Sequence, residues 1–367
     1  MRRLFVMGAT KPGYFKRHLR AIHVLADLFD EIYYQYADYN DNIPFDLPEN
    51  VIPLPLKINR KDFKSAKRIA FEKEIINMVR EYGQDYLYAF NFLRFFPFKP
   101  FTIPNKVIFE TAEYYPAGVL YPIESYVVGK LKEWFLMPIH MRMLEIVDGI
   151  VATVPRDVFP WNKVVSHFYE RFNVFYIPNF SSLRIKPIKE RDQVICFGAT
   201  RKIDIKKMES VFLPFVRAGY RVKLIGHDCG MYDKLPSYIT CVGYVPYSDY
   251  VKLLSRCAFS VMEQNYPGYF PNLNMIWTIP HKFFDSLGAG TPVIVSEKYV
   301  PMSTLVRKYD VGIVLPQSGE ITEGLIEDSL GRYDIYLGNI EKNQGKFVWN
   351  KEKEKRYKYF LIRVYKL

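Results

Sequence analysis

Three residues in one short stretch, Pro280, Lys282 and Asp285, have the types and spacing to hold a phosphorylated ligand. Proline is suited to the opening of a helix, where its missing N–H is not needed and its fixed φ is already helical. The spacing predicts a short helix from His281 to Leu287, ended by Gly288 and Gly290. The start of such a helix leaves unpaired backbone N–H groups and the positive end of the helix dipole facing the preceding loop, which makes it an anion site. Lys282 adds a full positive charge there, and His281 beside it could touch a phosphate or a sugar or stay solvated. Asp285, one turn on, offers a carboxylate able to accept hydrogen bonds from a diol. A phosphate next to a ribose suits that set.

The elements that must position these residues follow from the apolar pattern. Ala258 to Met262 and Val293 to Val295 predict buried strands on either side of the short helix. Upstream of residue 178, strands are expected at 3–8, 31–36, 86–91, 106–109, 149–153 and 174–177. Helices are expected there at 15–29, 61–82 and 123–146, and a proline-bearing polar loop at 38–55. Asn179 to Asp192 reads as a linker, after which the alternation starts again. Strands are expected at 193–197, 221–225 and 238–241, with helices at 204–218 and 247–256, all before the stretch just described. A helix at 302–308, a strand at 312–315 and a helix at 320–330 come after it. Alternation at this spacing implies parallel sheets covered on both faces. Ligands bind such sheets at the carboxyl ends of the strands. Gly198 with Arg201 and Lys202, Gly226, Tyr244 with Val245, and the helix start near 280 would therefore gather on one edge.

In that order these pieces resemble the donor domain of group 1 glycosyltransferases of the GT-B fold. The signature P-x-K-x-x-(D/E)-x-x-x-x-G-x-P-V-(I/V) is present as Pro280, Lys282, Asp285, Gly290, Pro292, Val293 and Ile294. The resemblance implies an α/β chain of two Rossmann-like domains facing a cleft. Expected are an acceptor-binding domain over 1–180, a nucleotide-sugar domain over 190–335, and a basic segment, 336–367, packing back on the first domain. It further implies that the acid binds the ribose, that Lys282, Arg201 and Lys202 bind the diphosphate, and that the Gly226 and Tyr244–Val245 loops lie near the nucleotide. The donor would be a uridine- or guanosine-linked sugar and the acceptor a glycan or a lipid-linked glycan, with no separate cofactor. One position departs from the pattern: Trp277 stands where many retaining members carry a glutamate. The region from Met275 to Lys282 is also loosely similar to the inverting glucuronosyltransferase of xanthan assembly. That likeness implies a carboxylate base after a strand of the first domain, here Glu113, for which capping or surface pairing is the alternative. An epimerase of the same fold and a non-catalytic binding subunit remain open beside the transferase.

Composition narrows the field. The chain has 367 residues and a formal charge of +12, and no apolar run approaches the length of a membrane span. Residues 340–367 hold nine lysines and arginines against three glutamates, half of that net charge. Such an excess points to nucleic acid, anionic lipid or a phosphorylated substrate; no nucleic-acid-binding motif is present. His18, His23, His140 and His167 lack metal-ligand spacing, and without a D-x-D motif a bound metal is not required. Cys196, Cys229, Cys241 and Cys257 have no C-x-x-C spacing and read as reduced, buried thiols of a cytosolic protein. The aromatic run at 92–101, with Arg94 and Lys99, and the helix at 123–146 read either as membrane contacts or as a strand edge and a packed helix. The first reading places the protein peripherally on the inner face of the cell membrane.

Overall fold

The computed structural model describes residues 1–8, 16–38, 46–58, 66–90, 92–111, 126–153, 173–198, 203–226, 228–263, 279–316 and 321–367. Two compact units result. The first comprises Met1–Tyr121, Ser125–Pro178 and Lys351–Leu367; the second takes Asn179–Asn350.

In the first unit the described strands are β1 (Arg3–Met7), β2 (Glu31–Asp38), β3 (Val51–Lys57), β4 (Tyr86–Ala89), β5 (Lys106–Thr111), β6 (Gly149–Ala152) and β7 (Val174–Tyr176). They form one parallel sheet in the order β3-β2-β1-β4-β5-β6-β7. One face carries Phe5, Met7, Leu87, Val107 and Phe109 against α2 (Ala66–Tyr82) and the C-terminal part of α3 (Tyr126–Ile146). On the other face lie α1 (Lys16–Ala26) and the last helix, α10 (Lys351–Tyr365). The strand β3 lies where a proline-bearing loop was expected. Pro53 and Pro55 cannot donate to a ladder, but β3 is the end strand of the sheet and needs partners on one side only.

The C-terminal segment does cross back to the first domain, by way of α10. Tyr357, Phe360, Leu361, Val364 and Tyr365 are all buried. Tyr365 donates to the Leu87 carbonyl at 2.8 Å, and Lys358 pairs with Asp27 of α1's C-terminal flank. A Cβ on Gly149 would come within 2.9 Å of Val364, so the bare strand β6 lets the helix approach this closely.

The second unit has β8 (Asp192–Gly198), β9 (Arg221–Ile225), β10 (Ile239–Val242), β11 (Cys257–Val261), β12 (Val293–Ser296) and β13 (Gly312–Leu315). These are parallel in the order β10-β9-β8-β11-β12-β13. The covering helices are α4 (Ile205–Arg217), α5 (Tyr247–Arg256), α6 (His281–Gly288), α7 (Val300–Tyr309), α8 (Glu323–Gly331) and α9 (Tyr333–Phe347). Helix α4 is capped by Asp204, whose carboxylate accepts the Lys207 N–H at 3.4 Å. The expected linker is packed rather than loose. Ser181 bridges to Val348, and Gln344 of α9 donates to the carbonyls of Ile185 and Gly288 at 2.7 and 2.8 Å.

The cysteine reading needs correcting for one pair. Cys229 and Cys241 are joined in a disulfide across a separation of 12 residues. One follows the end of β9 and the other lies in β10, its parallel neighbour, so the turn between them folds the two side chains together. Cys196 and Cys257 are free and buried, as expected. The inference of a reducing compartment therefore loses the support of that pair.

Candidate functional site

The C-terminal edge of the second sheet collects most of the residues picked out from spacing. The strand β8 ends at Gly198 and β9 is followed by Gly226, which has φ +83° and donates to the Val242 carbonyl at 3.0 Å. Tyr244 is exposed after β10, and Val245 is half-buried. Helix α6 starts at this edge with Pro280 as its N-cap and without a side-chain cap. Arg201, Lys202 and Glu113 lie outside the described residues.

Lys282 turns back onto the sheet. Its Nζ donates to the Glu263 carbonyl at 2.9 Å and stands 4.1 Å from the centre of the Phe197 ring. Burial lowers its pKa to about 8, the Glu263 charge opposing that shift. The Glu263 carboxylate in turn pairs with Lys298 at 2.5 Å and accepts the Tyr299 hydroxyl. One residue at the end of β11 thus anchors two ammonium groups, one by its backbone and one by its side chain. The arrangement is chemically suited to an anion, because Glu263 offers one carboxylate, which Lys298 takes, while Lys282 meets only a neutral carbonyl.

Asp285 is 5% exposed and points inward to α5. It accepts the Tyr247 hydroxyl at 2.5 Å, and Tyr247 also accepts the Ser182 N–H at 3.1 Å. Burial, then the Asp285 charge, pushes the Tyr247 phenol up, so it stays a donor. Tyr250, one turn along α5, presses on the strand end: a Cβ added at Gly198 would lie 2.6 Å from its hydroxyl. Its phenol too is raised, by burial and then by Asp285. A side chain at 198 would fit only if the Tyr250 ring moved aside. A diol reaching Asp285 would share the carboxylate with Tyr247.

Spacing alone missed Glu263, Lys298, Tyr247 and Tyr250. The two tyrosines carried a signal, since an i, i+3 pair lies on one helical face. Glu263 carried none within its own segment.

The first unit has a polar cluster of its own. Glu110, in β5, is 1% exposed; its carboxylate pairs with Arg17 of α1 and accepts from Tyr88, whose hydroxyl lies 2.6 Å from that of Tyr357 on α10. His18 is buried and stacks on Phe90 with ring centres 3.9 Å apart. So tightly held a carboxylate is a structural anchor between α1, the sheet and α10. Among the described residues, no group of three or more His, Cys, Asp or Glu side chains is placed to hold a metal ion.

This pair of parallel sheets is the GT-B fold of glycosyltransferases, which the sequence resemblance implied. Solved structures match it along the whole chain. Sucrose-phosphate synthase from Thermosynechococcus elongatus superposes with a TM-score of 0.67 at 13% identity, covering 100% of both chains. Anabaena HepE in complex with UDP gives 0.61 at 11% identity, covering 99% of this chain and 100% of that one. WaaG, a glycosyltransferase involved in lipopolysaccharide biosynthesis, gives 0.58 at 9% identity over 97% and 98%. No protein-family model matches this chain, and neither does any curated protein sequence.

Proposed function

We propose that this protein is a glycosyltransferase that moves a sugar from a uridine- or guanosine-linked donor to a glycan or lipid-linked acceptor at a membrane surface. The observation that carries the reading is the cation pair Lys282–Lys298 around Glu263, beside the uncapped start of α6. These groups suit the charge that develops on a departing nucleoside diphosphate. Arg201 and Lys202 follow Gly198 in sequence and would add to it. Asp285 with Tyr247 would meet the ribose, and the exposed Tyr244 with Val245 the base. The UDP complex of HepE, a protein of the same fold, supports the donor class. Glu113 is the base this reading assigns if the transfer inverts.

A thermal-shift panel of nucleotide sugars tests it, because a ligand that binds the folded state raises the melting point by mass action. One donor is expected to stabilise the protein, and Lys282→Met is expected to abolish that shift while the ligand-free melting point holds. Equal shifts in both proteins would remove Lys282 from the site, and no shift with any donor would overturn the reading.

A further inference from the structure

Helix α3 changes character along its length. Met143 and Leu144, near its C-terminus, are buried in the core of the first unit. Leu131, Trp134 and Phe135, in its first half, are 59, 75 and 69% exposed. With Pro138, also exposed, they fall at positions i, i+3, i+4 and i+7, which is one continuous stripe of the helix. Pro138 has no N–H for the Trp134 carbonyl, so the ladder is broken between the packed part and the bare part. Isolated exposed apolar residues need no explanation, but a tryptophan, a phenylalanine and a leucine in register on one face do.

The surroundings indicate what covers this stripe. The segment carrying Phe95, 46% exposed, and Arg94 packs beside the same helix: Arg142 of α3 lies 5.8 Å over Phe98. From Phe92 to Lys106 the sequence has Arg94, Lys99 and Lys106 and no acid, and around the stripe in the helix Lys130, Lys132 and Arg142 outnumber Glu133. The stripe is thus apolar and aromatic with a cationic margin, on a chain of charge +12. Tryptophan and phenylalanine settle at the boundary between headgroups and acyl chains, and lysine and arginine meet anionic headgroups. No described helix is long and apolar enough to cross a membrane, so contact would be by lying on the surface. The bare half of α3 is its N-terminal half, the end that follows β5 and so lies toward the carboxyl ends of the first unit's strands.

We propose that the stripe Leu131–Trp134–Phe135 of α3, with the basic segment of Arg94 packed on the same helix, docks the first unit on an anionic lipid bilayer. This deepens the proposed function, on which it rests for the lipid-linked nature of the acceptor. The side chains would enter the interface while the packed end of α3 holds the helix to the domain, which brings the ligand edge of the first sheet to the surface where such an acceptor is anchored.

Co-sedimentation with phosphatidylcholine vesicles, with and without phosphatidylglycerol, tests the proposal without using activity. The unsubstituted protein is expected to sediment with the phosphatidylglycerol vesicles, and the triple variant Leu131→Ser/Trp134→Ser/Phe135→Ser to stay in the supernatant. Because these residues are exposed, the variant should keep its melting point; Arg94→Glu, which leaves the stripe intact, should weaken binding by about 30-fold, as expected for a change of two charge units at the surface. Failure of the native protein to bind either vesicle overturns the proposal, as does undiminished binding by the triple variant. A native dimer that the triple substitution converts to a monomer, with no vesicle binding, overturns it in favour of self-association. The donor thermal shift measured on the same samples separates the two readings. A lost donor shift with vesicle binding intact would sink the transferase and spare the docking face.

Discussion

At the level of single side chains, the ammonium of Lys282 carries the sharpest pH signature. Its pKa falls from the ordinary 10.5 to about 8 on folding, chiefly by burial. Between those values the unfolded chain holds the proton and the folded one does not, so stability contributed by this group rises with pH across that window. Donor binding runs the other way, since it needs the charge: affinity for a nucleoside diphosphate is expected to fall as pH rises past about 8, and a calorimetric titration across pH 7 to 10 would show it. Glu263→Gln removes the charge that supports the protonated lysine. It should move the midpoint of that fall to lower pH and cost no more than about 1 kcal/mol of stability through the lost Lys298 pair, because Lys298 is 42% exposed and water replaces its partner. An unchanged midpoint would show that Glu263 does not act on Lys282. Lys282 and Asp285 were legible in the sequence because Pro-x-Lys-x-x-Asp lies within two helical turns. Glu263 was not, because its contact with Lys282 spans 19 residues and arises only when β11 and the start of α6 meet at the sheet edge.

Between elements, the tightest constraint at the site is the contact of α5 with the end of β8. Gly198→Ala puts a methyl 2.6 Å from the Tyr250 hydroxyl, and the overlap is expected to cost about 1–3 kcal/mol. Tyr250→Phe removes the clashing oxygen, so the double variant should recover part of that loss. Denaturant melts of the four proteins close the cycle, and strict additivity would show that the two do not touch. The disulfide is a second constraint, on the turn from β9 to β10. Reduction is expected to lower stability by about 2–4 kcal/mol, measured by melting with and without a phosphine reductant. Elements were readable from the sequence wherever period and propensity agreed: Arg221–Ile225, Tyr247–Arg256 and Gly312–Leu315 lie where the pattern put them. The strand β3 was hidden because Pro53 and Pro55 argue locally against a strand, and only its place at the sheet's end makes them harmless. The disulfide was hidden because pairing depends on where β9 and β10 place their flanks, which spacing does not state.

For the molecule as a whole, α10 is the helix that joins the chain's end to its beginning. Five of its large side chains are buried in the first unit, and at about 1.5–3 kcal/mol each their removal would forfeit roughly 8–15 kcal/mol. That is as much as a typical domain has in total. A chain ending at Asn350 is therefore expected to lose the cooperative melting of its first unit, and a single unchanged transition in calorimetry would contradict this. The return of the basic tail was legible from the family resemblance. Its division was not: α9 stays with the second unit and α10 with the first, because Gln344 and Phe347 pack on one and Tyr357 and Phe360 on the other. The arrangement has a consequence for synthesis. On the ribosome the strands of the first unit emerge first but their sheet cannot be fully covered, since α10 is translated only after the whole second unit. The second unit can mature while the first waits, so nascent molecules carry a parallel sheet with one face only partly covered until α10 emerges. Released polypeptides truncated at Asn350 should accordingly show a protease-resistant second unit and a protease-sensitive first one, in the reverse of their order of appearance.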